Sequence, residues 1–480
     1  MIDFEQILEE NCKKLKNREY AFEKVDGKFQ GITYDEFLDK ARTVAGFLLD
    51  KGFQDKPIMI YGDNSINLML ADLAVLNYVG ISVCISKEWK EEDVLRTLRF
   101  LEIPCVIYGE EKQEIMERVK QEMPELTYIP MSALSNMGNT DIKCIPQDEE
   151  KCCKIVFSSG TTARPKAVML SKKNIFAGVH SLYKRCPFCE QDATYLFLPL
   201  SHTYAGIYNF LYSLVFGFQV YLCSGVKELA KEILEVNPTI FCGVPLIYRR
   251  LYEGYGANIH KAFGNRIRYL FCGGAHFDEE LRKAYKDSGL DMMEAYALTE
   301  TASTFAIQYP NDPDVHCTGT IAEDINVKIL APDKSGIGEV AVKGDNVFLG
   351  YANDEEATRQ VFTEDGYFKT GDLGYLRKDE LHGGYRLYLT GRIKKILIGE
   401  NGENVDPQHI EKLICEKDTD ITKAVVFIAN GKLGCRVYLG KEKKCDWDLF
   451  FEKLNETLPK HEKIQYYEMM EDSLDKRWKQ

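Results

Sequence analysis

Ile155-Val156-Phe157-Ser158-Ser159-Gly160-Thr161-Thr162-Ala163-Arg164-Pro165-Lys166-Ala167 is the stretch around which the chain is organised. The apolar run Ile155–Phe157 reads as the end of a buried strand. It breaks into small hydroxylated residues and a glycine, then reaches a lysine. A loop of this composition turns backbone N–H groups and hydroxyls inward, and with one ammonium they match the many oxygens of a polyphosphate. The spacing is not the Walker pattern GxxxxGK followed by Ser or Thr, because Lys166 follows a proline and precedes Ala167. Composition alone leaves a solvated turn as the competing reading.

Outward from this loop, strands and helices alternate. Upstream, Ile32–Phe37 opens an amphipathic helix to Leu49, and Pro57–Tyr61, Ile81–Ile85 and Pro104–Tyr108 read as short apolar strands. Helices over about 65–78 and from Glu91 separate them, a pattern that predicts a parallel, doubly wound sheet. Downstream, Ser171 caps a helix to about Lys184, and Leu196–Leu200 reads as a strand delivering Ser201 and His202 at its carboxyl end, where ligands of open α/β sheets collect. His202 alone reads equally as a hydrogen-bonded core histidine. Tyr269–Cys272 leads into Gly273-Gly274-Ala275, and glycine admits close backbone approach to a flat ligand. In Tyr296-Ala297-Leu298-Thr299-Glu300 an aromatic can stack on a base, a hydroxyl can bond a phosphate and a carboxylate can hold Mg²⁺. From about Asn311 the pattern turns to strands, predicting a small barrel-like subdomain.

The 480 residues allow about two to four domains. With 45% hydrophobic and 28% charged residues the chain can bury large cores. A net charge of −13 argues against a nucleic-acid or anionic-membrane surface, so positive charge for any nucleotide must be concentrated locally. Ala193–Val226 is the longest stretch without Asp, Glu, Lys or Arg, but Pro199, His202, Gly206, Asn209 and Gly217 interrupt it, and no integral membrane segment is expected. No secretory leader is visible at Met1–Glu5, and fifteen cysteines then predict free thiols and a cytoplasmic location. Cys186-Pro187-Phe188-Cys189 has no second pair at zinc spacing and reads as two unrelated thiols.

The loop resembles the phosphate loop of the adenylate-forming superfamily, Ser/Thr-Ser-Gly-Ser/Thr-Thr-Gly-x-Pro-Lys-Gly, and Tyr296–Glu300, Tyr367–Asp372 and Gly402–Glu411 are similar to further motifs of that family in the right order. The wording around Pro238–Pro245 is similar to bacterial long-chain acyl-CoA synthetases. The resemblance implies an α/β fold: a large N-terminal AMP-binding domain over 1–391 and a small mobile α+β lid over 392–480, hinged near Lys394. It implies ATP and Mg²⁺, with coenzyme A or a carrier-protein thiol as acceptor. A carboxylate would attack the α-phosphorus of ATP, and a thiol would then take the acyl group and release AMP. By the same resemblance, Ser158–Thr162 and Lys166 hold the phosphates, and Gly273, Gly274, Ala275 and Tyr296 line the adenine site. Thr299 meets the α-phosphate and Glu300 the Mg²⁺. Asp372 binds the ribose diol, Arg392 lies near ribose and phosphate, and His202 lies near the acyl and thiol channel. Gly402, Glu403 and Asn404 reach the site in the thiol step.

The tail departs from the family. Its closing Pro-x-Thr-x-x-Gly-Lys string is degenerate here, and Lys476 falls on the lysine with one gap, with Arg477 and Lys479 as rivals. Ala163, Ala167 and Ala297 replace family glycines, which strains the backbone if those positions need positive φ and leaves a non-catalytic relative as one reading. A free amino acid would need an acidic partner in the acyl pocket. The uncharged Ala193–Val226 run offers none, which favours a fatty or otherwise lipophilic acid over an aryl- or amino-acid substrate.

Overall fold

The computed structural model describes residues 3–471, apart from 138–144, 159–164, 275–276, 278, 303, 394–396, 399–403, 406, 419, 430–431, 440–445 and 459–461. The chain clusters into two compact units. One is Met1–Lys328 with Ala341–Thr370 and Leu376–Tyr388; the other is Ile329–Val340, Gly371–Tyr375 and Leu389–Gln480.

The larger unit is built on two mixed sheets. In the first, Pro57–Tyr61 lies between Ile81–Ile85 and Cys105–Tyr108, all parallel, and Cys152–Ser158 joins parallel to Ile81–Ile85. Ile58 to Tyr61 are fully buried, as expected of a strand covered on both faces. Lys166–Ser171 then returns antiparallel beside Cys152–Ser158, and Gly350–Tyr351 pairs antiparallel with it at the edge. The second sheet has a parallel centre: Glu19–Val25, Gln219–Leu222, Ala193–Leu196, Ile240–Gly243, Tyr269–Cys272 and Met292–Tyr296. Antiparallel strands flank it on both sides.

Local chemistry sets the helix starts. Thr33 and Glu36 form a reciprocal capping box before Tyr34–Asp50, Ser65 caps Ile66–Ala74, and Ser171 with Asn174 caps Lys172–Phe176. Two expectations need correcting. The helix after Ser171 is interrupted at Gly178 and resumes over Val179–Arg185. The strand read at Leu196–Leu200 is instead Ala193–Leu196. Pro199 has no N–H to give a ladder, so His202 sits on the connection into a wide helical turn, Tyr204–Leu211, rather than on the strand end.

A buried ion pair ties the first sheet to its helix. Lys154, 1% exposed, reaches Asp72 Oδ1 and Oδ2 at 2.6 and 2.7 Å, and Ser82 Oγ donates to Oδ1 at 2.5 Å. The smaller unit is α+β: Ile421–Ala429, Lys432–Leu439 and Tyr466–Glu471 form one sheet, with helices Pro407–Lys417 and Trp447–Thr457 in sequence. Ile410, Ile414, Cys435, Val437 and Leu454 are fully buried in its core.

Removing one partner of the buried pair strands the other charge. Asp72→Ala is expected to lower unfolding stability by about 3–5 kcal/mol, read as a fall in the urea midpoint. The double change Asp72→Leu with Lys154→Met should lose much less; equal losses would contradict this account.

Candidate active site

The hairpin of the first sheet sets the frame. Its register places Ser158 opposite Lys166 and Phe157 opposite Ala167, so residues 159–165 connect two antiparallel strands. Ser158 is buried and Lys166 half-buried. Ser159, Gly160, Thr161 and Thr162 lie outside the described residues, as does Ala163.

Lys166 Nζ stands 4.2 Å from the ring centroid of Tyr351, and the Tyr351 hydroxyl donates to Glu300 Oε1 at 2.9 Å. One aromatic side chain thus joins the lysine and the carboxylate that the sequence singled out separately. Tyr351 is fixed by its pairing with Val168, by its N–H on Thr358 Oγ1 (2.9 Å) and by Ala352 N–H on Ala167 O (2.9 Å). Burial, with the neighbouring Glu300 charge second, pushes its pKa well above the usual phenol value, so it remains a proton donor. Sequence reasoning missed Tyr351, because only the pairing of segments far apart in the chain brings it here. Among the described residues, Glu300 Oε2 has no partner, and a half-buried carboxylate with one free oxygen fits a hydrated Mg²⁺.

Glu300 rides on the tight turn Thr299–Thr301 that follows the strand Met292–Tyr296 and packs against Cys152–Ser158. Tyr296 is buried, with Phe305 edge-on at 4.9 Å. Ala167 is paired in a strand, and neither it nor Ala297 has positive φ. These two replacements of family glycines therefore carry no left-handed strain, and Ala297 faces solvent.

His202 keeps a solvent-open edge but is densely surrounded by protein, and the displaced solvent lowers its pKa below the ordinary value. Its Nδ1 accepts from the Tyr204 N–H at 3.3 Å, which assigns the proton to Nε2. Gly273 follows Tyr269–Cys272, and a Cβ there would stand 3.2 Å from the Tyr204 ring. Gly274 has φ +82°, a conformation that favours glycine.

Behind these strand ends lies a narrow cavity of about 20 Å³ with an apolar accessible lining. Tyr204, Tyr208 and Tyr212 wall it from one helical stripe, with Ile240, Phe271 and Ala295 contributed by the strands. The three hydroxyls are occupied elsewhere. Tyr204 donates to Phe271 O at 3.1 Å, Tyr212 donates to Ile175 O at 3.0 Å, and Tyr208 accepts from the Thr304 N–H. Among the described residues, none that lines the space is charged.

In the smaller unit, Arg392 Nε donates to Asp372 Oδ1 at 2.6 Å, so the two residues expected near the ribose are in contact. Asp372 is buried and Arg392 exposed. Asn404 begins the short strand Asn404–Val405. Ala275, Lys394, Gly402, Glu403 and Lys476 lie outside the described residues. Cys186 is buried, with its thiol pushed up to about 12 by desolvation, whereas Cys189 lies 3.6 Å from Asp192 Oδ2 and 3.8 Å from Arg268 Nη1. The two thiols have different partners, and no metal cluster occurs among the described residues.

The profile of the AMP-binding enzymes matches residues 8–352. The chain belongs to the AMP-binding enzyme family. Its relatives include the long-chain-fatty-acid–CoA ligase ACSBG2 of Gallus gallus, 28% identical over 335 residues covering 58% of this chain and 43% of that protein. The ACSBG2 ligase of Rattus norvegicus is 24% identical over 83% of this chain and 71% of that protein. The chain spans about half the length of several of the curated relatives it matches. Among solved structures, the Bacillus subtilis o-succinylbenzoate CoA synthetase holding its acyl-adenylate superimposes with a TM-score of 0.83 at 21% identity, covering 97% of this chain and 94% of that one. ATP-bound MatB from Rhodopseudomonas palustris gives 0.80 at 22% identity, with the same coverage. The fold of these two enzymes thus extends over 97% of this chain, as the α/β reading expected. No helix among the described residues is long and apolar enough to cross a membrane.

The geometry at His202 makes a spectroscopic prediction. Its imidazole should titrate below about 6.5 and carry its proton on Nε2 when neutral. Nitrogen-15 shifts of the ring measured across pH check both; an Nδ1–H tautomer would contradict the Tyr204 contact.

Proposed function

We propose that this protein uses ATP to activate an apolar carboxylic acid and passes the acyl group to the thiol of coenzyme A. The observation that carries the reading is the uncharged cavity behind Gly273 and Tyr296. Ala295 and Phe271 on its wall stand one and two residues before those positions, so an acid seated there directs its carboxylate toward the turn bearing Thr299 and Glu300. The family membership supports the same chemistry.

A carboxylate oxygen attacks the α-phosphorus, the bond to the bridging oxygen breaks, and pyrophosphate leaves. Sulfur of the thiol then adds to the acyl carbonyl, its proton is lost, and AMP departs. Both encounters bring anions together, so the chain's task is electrostatic. Lys166 neutralises phosphate charge, as would the hydroxyls and N–H groups of Ser158–Thr162. Thr299 holds the α-phosphate. Glu300 would hold Mg²⁺, which would supply charge neutralisation for the leaving pyrophosphate. His202, with Nε2–H as its donor, holds the acyl carboxylate. Gly273, Gly274 and Ala275 with Tyr296 border the adenine, and Asp372 accepts from the ribose diol beside Arg392. Between steps the segment 392–480, hinged near Lys394, exchanges Lys476 for the Gly402–Asn404 loop. The separate core of the smaller unit supports that division. Thirteen described cysteines are free, which supports a reducing, cytosolic setting.

A pyrophosphate-release screen with Mg·ATP over alkanoic, aryl and amino acids tests the reading, with CoA and a carrier-protein thiol offered in parallel. Alkanoates should turn over and amino acids should not; the reverse pattern would overturn it. Lys166→Ala should slow adenylation by roughly 10²-fold. Ala295→Phe should remove activity toward the longest acids first, with ATP dependence unchanged.

A further inference from the structure

Lys166 and Glu300 carry opposite charges and share one neighbour, yet no ion pair joins them. The ammonium lies 4.2 Å from the centroid of the Tyr351 ring and the carboxylate accepts from its hydroxyl at 2.9 Å, so one side chain engages both groups at different atoms. Tyr351 cannot drift from this place. Strand pairing fixes its backbone, Thr358 holds its N–H, and Phe348 packs edge-on against its ring at 4.9 Å, while the Phe348 N–H donates to Glu300 O at 2.9 Å. Gly350, at φ +140° with a Cβ position only 3.0 Å from Thr358, brings the strand in close.

Resting on the ATP-dependent function above, we infer that Tyr351 is a positioning residue that acts as an insulating spacer. It keeps the lysine available to phosphate and the glutamate available to metal. A π face holds an ammonium without neutralising it, because the ring quadrupole offers no formal charge. A phenol that cannot ionise takes one carboxylate oxygen and leaves the other to a cation. Without the ring, the ammonium and carboxylate would close into a salt bridge, and each would lose its ligand.

The spacer role separates from a merely structural one in binding measurements that need no turnover. ATP binding is measured by calorimetry in EDTA, where only the lysine side of the site is read, and again with Mg²⁺. Tyr351→Phe keeps the ring and should bind ATP in EDTA as wild type does, but require several-fold more Mg²⁺ for half-maximal turnover. Tyr351→Leu removes the ring and should weaken ATP binding in EDTA on the order of tenfold. Adding Glu300→Gln to Tyr351→Leu abolishes the competing ion pair and should restore that binding. Thermal midpoints of all variants report folding separately, and the restoration in the double variant excludes a collapsed site. Unchanged EDTA binding in Tyr351→Leu, or a loss that Glu300→Gln fails to restore, overturns the spacer while leaving the ATP-dependent reading intact. A wild-type protein that binds no ATP overturns both.

Discussion

The antiparallel ladder formed by Cys152–Ser158, Lys166–Ser171 and Gly350–Tyr351 is the constraint on which the site depends. A strand has a side-chain period of two, so a slip of one residue would turn Lys166 and Tyr351 to opposite faces and separate them. The register is held from within the fold. Lys154, four residues before Ser158 on the first strand, is locked to Asp72 on a helix beneath the sheet. Ala352 N–H and Leu349 N–H close on Ala167 O and Met169 O from the other side. The anchoring of this ladder thus lies in the interior of the fold.

Much of this was legible in the sequence, and what failed did so for identifiable reasons. Pro57–Tyr61 and Ile81–Ile85 were readable as strands because short apolar runs between turn residues have few alternatives. Ser171 announced its helix because capping is local chemistry. The strand expected at Leu196–Leu200 was displaced because hydropathy continues through Pro199 while hydrogen bonding does not. Motifs identified Lys166 and Glu300 by residue type, but the geometry between them is a property of tertiary pairing. Tyr351 lies 185 positions from Lys166, and nothing near it in sequence points there. Asp72 and Lys154 were invisible for the same reason.

In a chain with net charge −13, a site for polyphosphate needs cations that are not already spent. Several exposed lysines and arginines here are balanced by nearby carboxylates, as in Lys184 with Glu323 or Arg118 with Glu91. Lys166 is instead held by an aromatic face, which orders the side chain at little cost in effective charge. Ordering matters as much as charge, since a free lysine loses up to about 2 kcal/mol of rotamer entropy when a ligand fixes it.

The apolar cavity uses the opposite device, removing polarity rather than concentrating it. Three tyrosines would ordinarily bring three hydroxyls to a pocket wall, and each left unpaired would cost about 1–3 kcal/mol. Here all three are committed to backbone groups, and the accessible lining is apolar. The wall gains rigidity that aliphatic side chains would not give, because each ring is pinned at both ends. Such a pocket discriminates mainly by penalty. An alkyl chain enters without loss, whereas an ammonium must shed its water and finds no counter-charge. Under the proposed function, selection against charged acids would be set by hydrogen bonds that the substrate never touches.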